Sequence, residues 1–419
     1  MKLNSIVSEE KFKNQIDKWV ENKIKNEIND FESLILSLPS IYPQLVLESL
    51  DRLYSSKKIN NKLYHKLSQD AKKKNKVINK SEIQNIIFPP HPLDFDWRFT
   101  QKTTRDLIKT CIILSKPDDT IVFLGTPSLF GIVSKKQYNR RFILIDTNPS
   151  HYKNMNQNCS VFNHNLFKAI PSDLYSITKL VIMDPPWYPD YQRAFLNNTS
   201  KICKLGGTIL MVASRVGTRP NIHREWQALL KWIKKIGLSY EGLCNMNIAY
   251  DTPYFEKNAL KAIGITNFPY GWRRADLAIF RKKNENNFLL PKKGYQADWY
   301  EESYMGLRIR RHPKNHTFKD PSLLSVISGD ILPSVSRRDP HRNTVDVWSF
   351  GNRVFNCKGT NILHDILCAL KDGYSPNIKI ESSLGRKLEK KENQLILKTI
   401  RQVNKIINIE KSELFGGKI

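Results

Sequence analysis

Leu180-Val181-Ile182-Met183-Asp184-Pro185-Pro186-Trp187 is the stretch from which the fold can be read. Four apolar residues predict a strand buried on both faces, and the segment then stops on an acid, two prolines and a tryptophan. Neither proline carries an N–H and both have a fixed φ, so a sheet ladder cannot pass through them. The sequence therefore predicts a stiff corner at the end of a core strand, with a carboxylate on one side and an aromatic face on the other. Such a corner suits a planar group that carries an amine.

Working outward, apolar runs alternate with helical patterns. Thr120 to Leu124 is a short strand closed by Gly125-Thr126-Pro127-Ser128-Leu129, and Arg141 to Ile145 is a second that ends on Asp146. Ser160-Val161-Phe162 forms a third, followed by Asn163-His164-Asn165, and Lys179 to Met183 is the fourth. Gly206-Gly207 precedes a fifth at Thr208 to Val212, and Arg274 to Phe280 reads as the last strand of the same sheet. A helix is expected to begin at Thr103 or Thr104, either of which can cap it. This alternation predicts an α/β fold with a doubly wound, mainly parallel, Rossmann-like sheet.

Three domains are expected. Residues 1–87 are helical and basic, with Phe31, Leu34, Leu38, Ile41, Leu45, Leu50, Leu53 and Tyr54 at helical spacing. Pro39 and Pro43 interrupt them, which outlines a helix-turn-helix or winged helix that either reads DNA or pairs two subunits as a homodimer. Lys57, Lys58, Lys72, Lys73, Lys74, Lys76 and Lys80 form a basic stretch behind it. Residues 88–285 hold the sheet, entered through the proline-rich linker Phe88-Pro89-Pro90-His91-Pro92. Residues 286–419 are a mixed, basic C-terminal region for substrate recognition. It interleaves Trp299, Tyr300, Arg308, Arg310, Arg311, His312, Arg337, Arg338, Arg342, Trp348 and Arg353, and ends in a basic amphipathic helix from Arg386 to Ile409.

The chain has 419 residues with 67 Lys+Arg against 40 Asp+Glu, a formal net charge of +27. That surplus favours a polyanionic partner, nucleic acid before others. Six scattered cysteines without paired spacing argue against a disulfide framework or a metal centre and fit a reducing, cytoplasmic setting. No apolar run approaches membrane-span length.

In a doubly wound sheet, ligands sit outside the carboxyl ends of the strands. Gly125 with Thr126 allows close backbone approach, Asp146 can accept both hydroxyls of a ribose, and Asn163 and Asn165 can meet an adenine ring. Asp184 to Trp187 completes the series. In that order these residues resemble the class I S-adenosylmethionine-dependent amino-methyltransferases with an (Asp/Asn)-Pro-Pro-aromatic motif, over roughly Asp94 to Arg281. The resemblance implies S-adenosylmethionine as cofactor and no metal. It also implies that Asp184 and the Pro185 carbonyl accept the hydrogens of a target amine, while Trp187, after the rigid Pro186, clamps a flipped base. Asp96 is expected to line the methionine end of the cofactor. The Asp-Pro-Pro-Trp form is similar to that of RNA adenosine N6-methyltransferases. The order, with the cofactor loop first, is that of DNA adenine methyltransferases. DNA is therefore expected before RNA. One departure is Pro127, which stands where the family's second loop glycine falls; the next glycine is Gly131.

The chain is also similar to the branched-chain polyamine synthases, through Asp94-Phe95-Asp96, the Gly125 loop and Asp184-Pro185-Pro186. Thr126, Pro127 and Ser128 replace the acids of that family's loop, which makes aminopropyl transfer to a polyamine the second reading. A catalytically inactive nucleic-acid-binding or assembly subunit is the third.

Overall fold

The computed structural model describes residues 2–73, 89–147, 155–288, 299–300, 304–311, 317–337 and 339–415. Lys74, Lys76, Lys80, His312 and Arg338 of the expected basic stretches lie outside them. By packing, the chain divides into two units: residues 1–88, 97–252 and 264–294, and residues 89–96, 253–263 and 295–419.

The first unit opens with four helices, α1 (Lys2–Lys25), α2 (Phe31–Ser37), α3 (Pro43–Ser55) and α4 (Asn61–Lys72). Asp30 and Asn60 cap α2 and α4 by accepting from Ser33 N and Leu63 N. Pro43 takes the first position of α3, where a missing N–H leaves nothing unsatisfied. That start resets the helical phase, so Val46 rather than Leu45 is buried with Leu50 and Leu53. Asp17 on α1 accepts from Ser49 Oγ (2.6 Å) and from Arg52 Nη2 (2.8 Å), which joins α1 to α3. The turn between α2 and α3 docks on the sheet: Ser40 Oγ accepts from Arg274 N at 2.8 Å, and a Cβ at Gly217 would lie 2.3 Å from the Pro39 carbonyl.

Helix α5 (Gln101–Ile113) is capped by Thr100, whose hydroxyl accepts from Thr103 N. The expected caps Thr103 and Thr104 are instead inside the helix and buried, because Thr100 is the last residue with an extended backbone. The sheet contains β1 (Thr120–Leu124), β2 (Arg141–Asp146), β3 (Cys159–Asn163), β4 (Thr178–Met183), β5 (Cys203–Ser214), β6 (Leu238–Ala249) and β7 (Arg274–Lys282). Its order is β3-β2-β1-β4-β5-β7-β6, with β1 to β5 parallel and β7 antiparallel to both neighbours. Between the strands run α6 (Pro127–Val133), α7 (Pro189–Ile202) and α8 (Ile222–Ile233). Successive residues of β1 enter opposite cores: Val122 and Leu124 pack with Ile209, Met211 and Leu196, whereas Ile121 and Phe123 pack with Leu107, Phe130 and Leu210. Burial on both faces is why these strands read as continuous apolar runs. β6 has no such run. It is an edge strand with two register shifts and exposed Leu243 and Cys244, so its sequence carries no clear signal.

The second unit has a four-stranded sheet in the order β8-β10-β11-β9, from β8 (Arg308–Ile309), β9 (Leu324–Ser325), β10 (Val347–Trp348) and β11 (Val354–Asn356). Helices α9 (Tyr254–Ala262), α10 (Thr360–Asp372), α11 (Pro376–Leu384) and α12 (Lys390–Phe415) complete it. The expected terminal helix thus starts at Lys390 and buries Ile396, Val403, Ile406 and Ile407. Several arginines expected to meet nucleic acid are committed inside this unit. Arg308 is bidentate to Asp94, Arg310 donates to the Val345 and Arg342 carbonyls, Arg353 pairs with Glu413, and Arg342 is buried against Phe95 and Trp348.

Glu410 is buried beneath Gly351, accepts from Ser349 Oγ and has Arg353 Nε at 3.6 Å. Burial pushes its carboxyl up from 4.5 to about 7, against the pull of Ser349 and Arg353. The folded chain therefore holds a proton that the unfolded chain has released. This contribution is full below pH 4.5 and is lost as pH rises through 7. Buried His91 acts with the opposite sign, since burial and Arg308 hold its imidazole well below 6.5 and its contribution is lost on acidification. Glu410→Gln isolates the carboxyl. In chemical denaturation the variant is expected to match wild type near ~pH 4.5 and to be more stable by as much as ~3 kcal/mol near ~pH 8. A difference that does not change with pH would contradict the assignment.

Candidate active site

The parallel strands bring the predicted residues to one edge of the sheet. Gly125 follows β1, Asp146 ends β2, Asn163 ends β3 opposite Asp146 in register, and Asp184 follows β4. Gly125 has φ +61°, its N–H donates to the Ile145 carbonyl at 3.0 Å, and a Cβ there would sit 2.9 Å from Phe195 Cε1. Glycine is thus required both by the backbone and by the close approach of α7. Pro127 does not spoil this loop. It opens α6 at a position that needs no N–H, so the turn closes directly into a helix, and Gly131 is buried within that helix. Thr126 Oγ1 is buried without a hydrogen-bond partner among the described residues.

Asn163 is exposed and Asn165 half-buried. The side-chain oxygen of Asn165 accepts from Phe167 N at 3.0 Å, which engages it in a turn. Asn198 on α7 holds that loop by donating to the Leu166 carbonyl at 2.7 Å. Asp96 belongs to the second unit.

At the corner, Tyr188 N donates to the Pro186 carbonyl at 2.6 Å, and Arg219 donates to the Trp187 carbonyl from Nε (3.2 Å) and Nη2 (2.7 Å). The Pro185 carbonyl between them and Asp184 has no hydrogen-bond partner among the described residues. Arg219 pairs with Glu225 as well, and Arg215 pairs with Asp276 at 2.8 Å, so both arginines have carboxylate partners within the fold. Both line a cavity of about 340 Å³ that opens beside the corner with Ser214, Trp226 and Asn245.

Sequence reasoning missed two residues. Tyr250, just past β6, donates its hydroxyl hydrogen to Asp184, with Oη 2.8 Å from Oδ1 and 2.9 Å from Oδ2. Burial, and then the Asp184 charge, push the phenol well above its ordinary value, so it stays a neutral donor. Trp187 meets the Tyr250 ring edge-on at 5.6 Å. Arg273, just before β7, stacks its guanidinium 3.6 Å from the centroid of Trp97 and lies 5.5 Å from that of Trp187. Both reach the site because β6 and β7 run in opposite directions, which puts the end of one and the start of the other at the same edge. The only local hint is the aromatic stretch around Trp97: the backbone of Arg98 and Thr100 bonds to that of Asp251 and Ala249.

Residues 96–228 match the model of a family described as "Probable N6-adenine methyltransferase". No curated protein matches the chain. Among solved structures, the branched-chain polyamine synthase C9 mutein from Thermus thermophilus, in complex with N4-aminopropylspermidine and 5'-methylthioadenosine, is 10% identical with a TM-score of 0.50. The alignment covers 70% of this chain and 97% of that chain. The branched-chain polyamine synthase from the same organism gives 11% identity and a TM-score of 0.47, covering 67% and 91%. A 16S rRNA adenine methyltransferase from Catenulisporales acidiphilia gives 9% identity and a TM-score of 0.28, covering 44% and 93%. At these identities the likeness is one of fold.

Among the described residues no helix is long and apolar enough to cross a membrane, and no cluster of His, Cys, Asp and Glu is placed to hold a metal. The left-handed turn at Gly125, the buried orphan hydroxyl of Thr126 and the acid ending β2 fit an adenosyl cofactor at this edge. With the fold and the family match over residues 96–228, they support an S-adenosylmethionine-dependent methyltransferase.

Proposed function

We propose that the protein methylates an exocyclic amine of a nucleobase, the N6 amine of adenine in nucleic acid, with DNA before RNA. The observation that carries this is the pair of acceptors at the corner: the Asp184 carboxylate and the unpartnered Pro185 carbonyl, beside the Trp187 ring. Two acceptors on consecutive residues suit the two hydrogens of an NH₂ group. Holding both turns the nitrogen lone pair out of conjugation and toward the methyl group. S-adenosylmethionine, when bound, supplies that methyl on a sulfonium that is already electrophilic. Gly125, Thr126 and Asp146 are the residues that would hold it. The amine nitrogen forms the N–C bond as the C–S bond breaks with its electron pair left on sulfur. One amine proton then leaves by way of Asp184 to water. Trp187 offers a face on which an extruded base can stack. Its carbonyl is pinned by Arg219, so the clamp is fixed in advance. The net charge of +27 favours a polyanionic substrate over a polycationic one.

Calorimetric titration with S-adenosylmethionine, followed by radiolabelled methyl transfer to adenine-containing DNA, to RNA and to spermidine, tests the reading. Cofactor binding with label on adenine is expected. Transfer confined to spermidine would replace the reading with alkyl transfer to a small amine. No binding at millimolar cofactor would leave the non-catalytic reading.

A further inference from the structure

The second unit neutralises arginines internally, Arg308 with Asp94 and Arg353 with Glu413. Its last helix separates the two signs instead. α12 carries three acids, and each is engaged by another part of the unit. Glu392 is buried and accepts from both Nη atoms of Arg386, Glu410 is buried against Ser349, and Glu413 accepts from Tyr254 Oη. The cations have no such partners. Lys391, Lys398, Arg401 and Lys405 are exposed, and among the described residues none has a carboxylate within ion-pair distance. At ~3.6 residues per turn the four fall within an arc of roughly 80° and a length of about 21 Å, with exposed Gln394 and Asn408 alongside. Ile396, Val403 and Ile407 fix the other side of the helix in the core, so the stripe is held outward. A solvated face ordinarily mixes signs at i,i+3 and i,i+4. Here Lys398 with Arg401, and Arg401 with Lys405, are like charges at those spacings, which costs a helix stability. All four lie more than two turns before the C-terminal end, so they do not serve the helix dipole either.

We propose that this face of α12 is a docking surface for the phosphate backbone of nucleic acid. None of its residues belongs to the Asp184 corner, so the proposal goes beyond that reading and does not depend on it. Charge complementarity names the occupant. The lysines supply point charges, Arg401 a planar fork, and Gln394 and Asn408 amide donors, all of which bond to phosphate oxygens. A second copy of the chain fits worse, because on a two-fold interface the stripe would meet its own charge. A lipid surface also fits worse. Among the described residues of α12 the one exposed large apolar side chain is Leu397, and the rest of its apolar side is packed against the unit. Each cation that neutralises a phosphate releases a counterion, so docking on this face carries a signature in its salt dependence.

The test uses the full-length protein with a DNA duplex, with phosphatidylserine vesicles and with S-adenosylhomocysteine, in wild type and three variants. Lys398→Gln/Arg401→Gln/Lys405→Gln clears the stripe with a residue that suits an exposed helix. Lys57→Gln/Lys62→Gln/Lys72→Gln removes the same charge from exposed lysines of the N-terminal region. Arg401→Lys keeps the charge of the stripe. For the stripe variant, duplex binding near ~0.1 M salt is expected to weaken at least ~10-fold, with a salt slope shallower by about 2–3. S-adenosylhomocysteine should bind as before, and the Tm should not fall. The N-terminal variant and Arg401→Lys should keep most of the wild-type affinity and slope. Unchanged duplex affinity and slope in the stripe variant would overturn the proposal, as would a wild type without salt-dependent duplex binding. Equal losses in both triple variants would also overturn it, because net charge alone would then carry the binding. So would lost vesicle binding with duplex binding intact, which would assign the face to a membrane. A wild type that docks the duplex through the stripe but never methylates adenine removes the reading of the reaction and leaves the docking surface standing.

Discussion

Asp184→Ala is expected to lower methyl transfer by about 10²–10³-fold or more while leaving S-adenosylmethionine affinity within about twofold. The side chain is one of the two acceptors that present the amine lone pair. The backbone of the same residue maintains the sheet edge through its N–H, which donates to the Leu124 carbonyl at 3.3 Å and survives the substitution. Gly125, Thr126 and Asp146 are untouched. Alanine also strands the buried Tyr250 hydroxyl, at about 1–3 kcal/mol of stability, so a lowered Tm has to be separated from lost chemistry. Asp184→Asn makes that separation, since an amide oxygen still accepts from Tyr250 and from an amine. The asparagine variant should fold like wild type and keep part of the activity. Transfer by the alanine variant at the wild-type rate, measured with labelled methyl on adenine, would remove Asp184 from the chemistry.

Tyr250→Phe should reduce kcat by about 10–100-fold with little change in cofactor affinity, the range for a hydrogen bond to a charged group. The phenol touches Asp184 and not the substrate, so it is a positioning residue. Its single hydrogen is shared between the two carboxylate oxygens, which orients the group. Burial keeps it neutral, so its support should not fade through the ordinary pH range. Phenylalanine preserves the ring contacts with Trp187 and Phe99. A purely structural tyrosine would lower Tm and disturb both KM and kcat; a positioning tyrosine lowers kcat with KM little changed, in protein that is still fully folded at the assay temperature. The second pattern is expected, and an unchanged kcat would contradict it.

The parallel half of the sheet was legible because the central residues of β1, β2 and β4 are largely buried on both faces and form unbroken apolar runs. The corner was legible because Pro185 and Pro186 cannot extend a ladder. Gly125, Asp146 and Asn163 followed from strand ends alone. Tyr250 and Arg273 did not, because a single aromatic and a single arginine become part of a site only through the antiparallel return of β7, which no local pattern encodes. β6 escaped notice for a related reason: an edge strand with bulges does not need apolar alternation. The arginines of the C-terminal region show the reverse. Their composition suggested substrate contacts, but Asp94 lies far from Arg308 in sequence, and Glu413 far from Arg353, while each pair is close in space. Asn165 similarly turned out to serve its own turn.

The path of the chain through its two units has a practical bearing on any attempt to divide it. The second unit takes residues 89–96 and 253–263 from the middle of the sequence, each flanked by segments of the first. A stop codon after residue 294 would delete most of the second unit yet leave α9, with Phe255, Ala259 and Leu260, stripped of the helices and strands it folds with. Such a fragment would expose apolar surface and be prone to aggregate. Expression, limited proteolysis and crystallisation trials should therefore treat residues 89–415 as indivisible, and a catalytic core trimmed at the C-terminus should be less soluble than the whole.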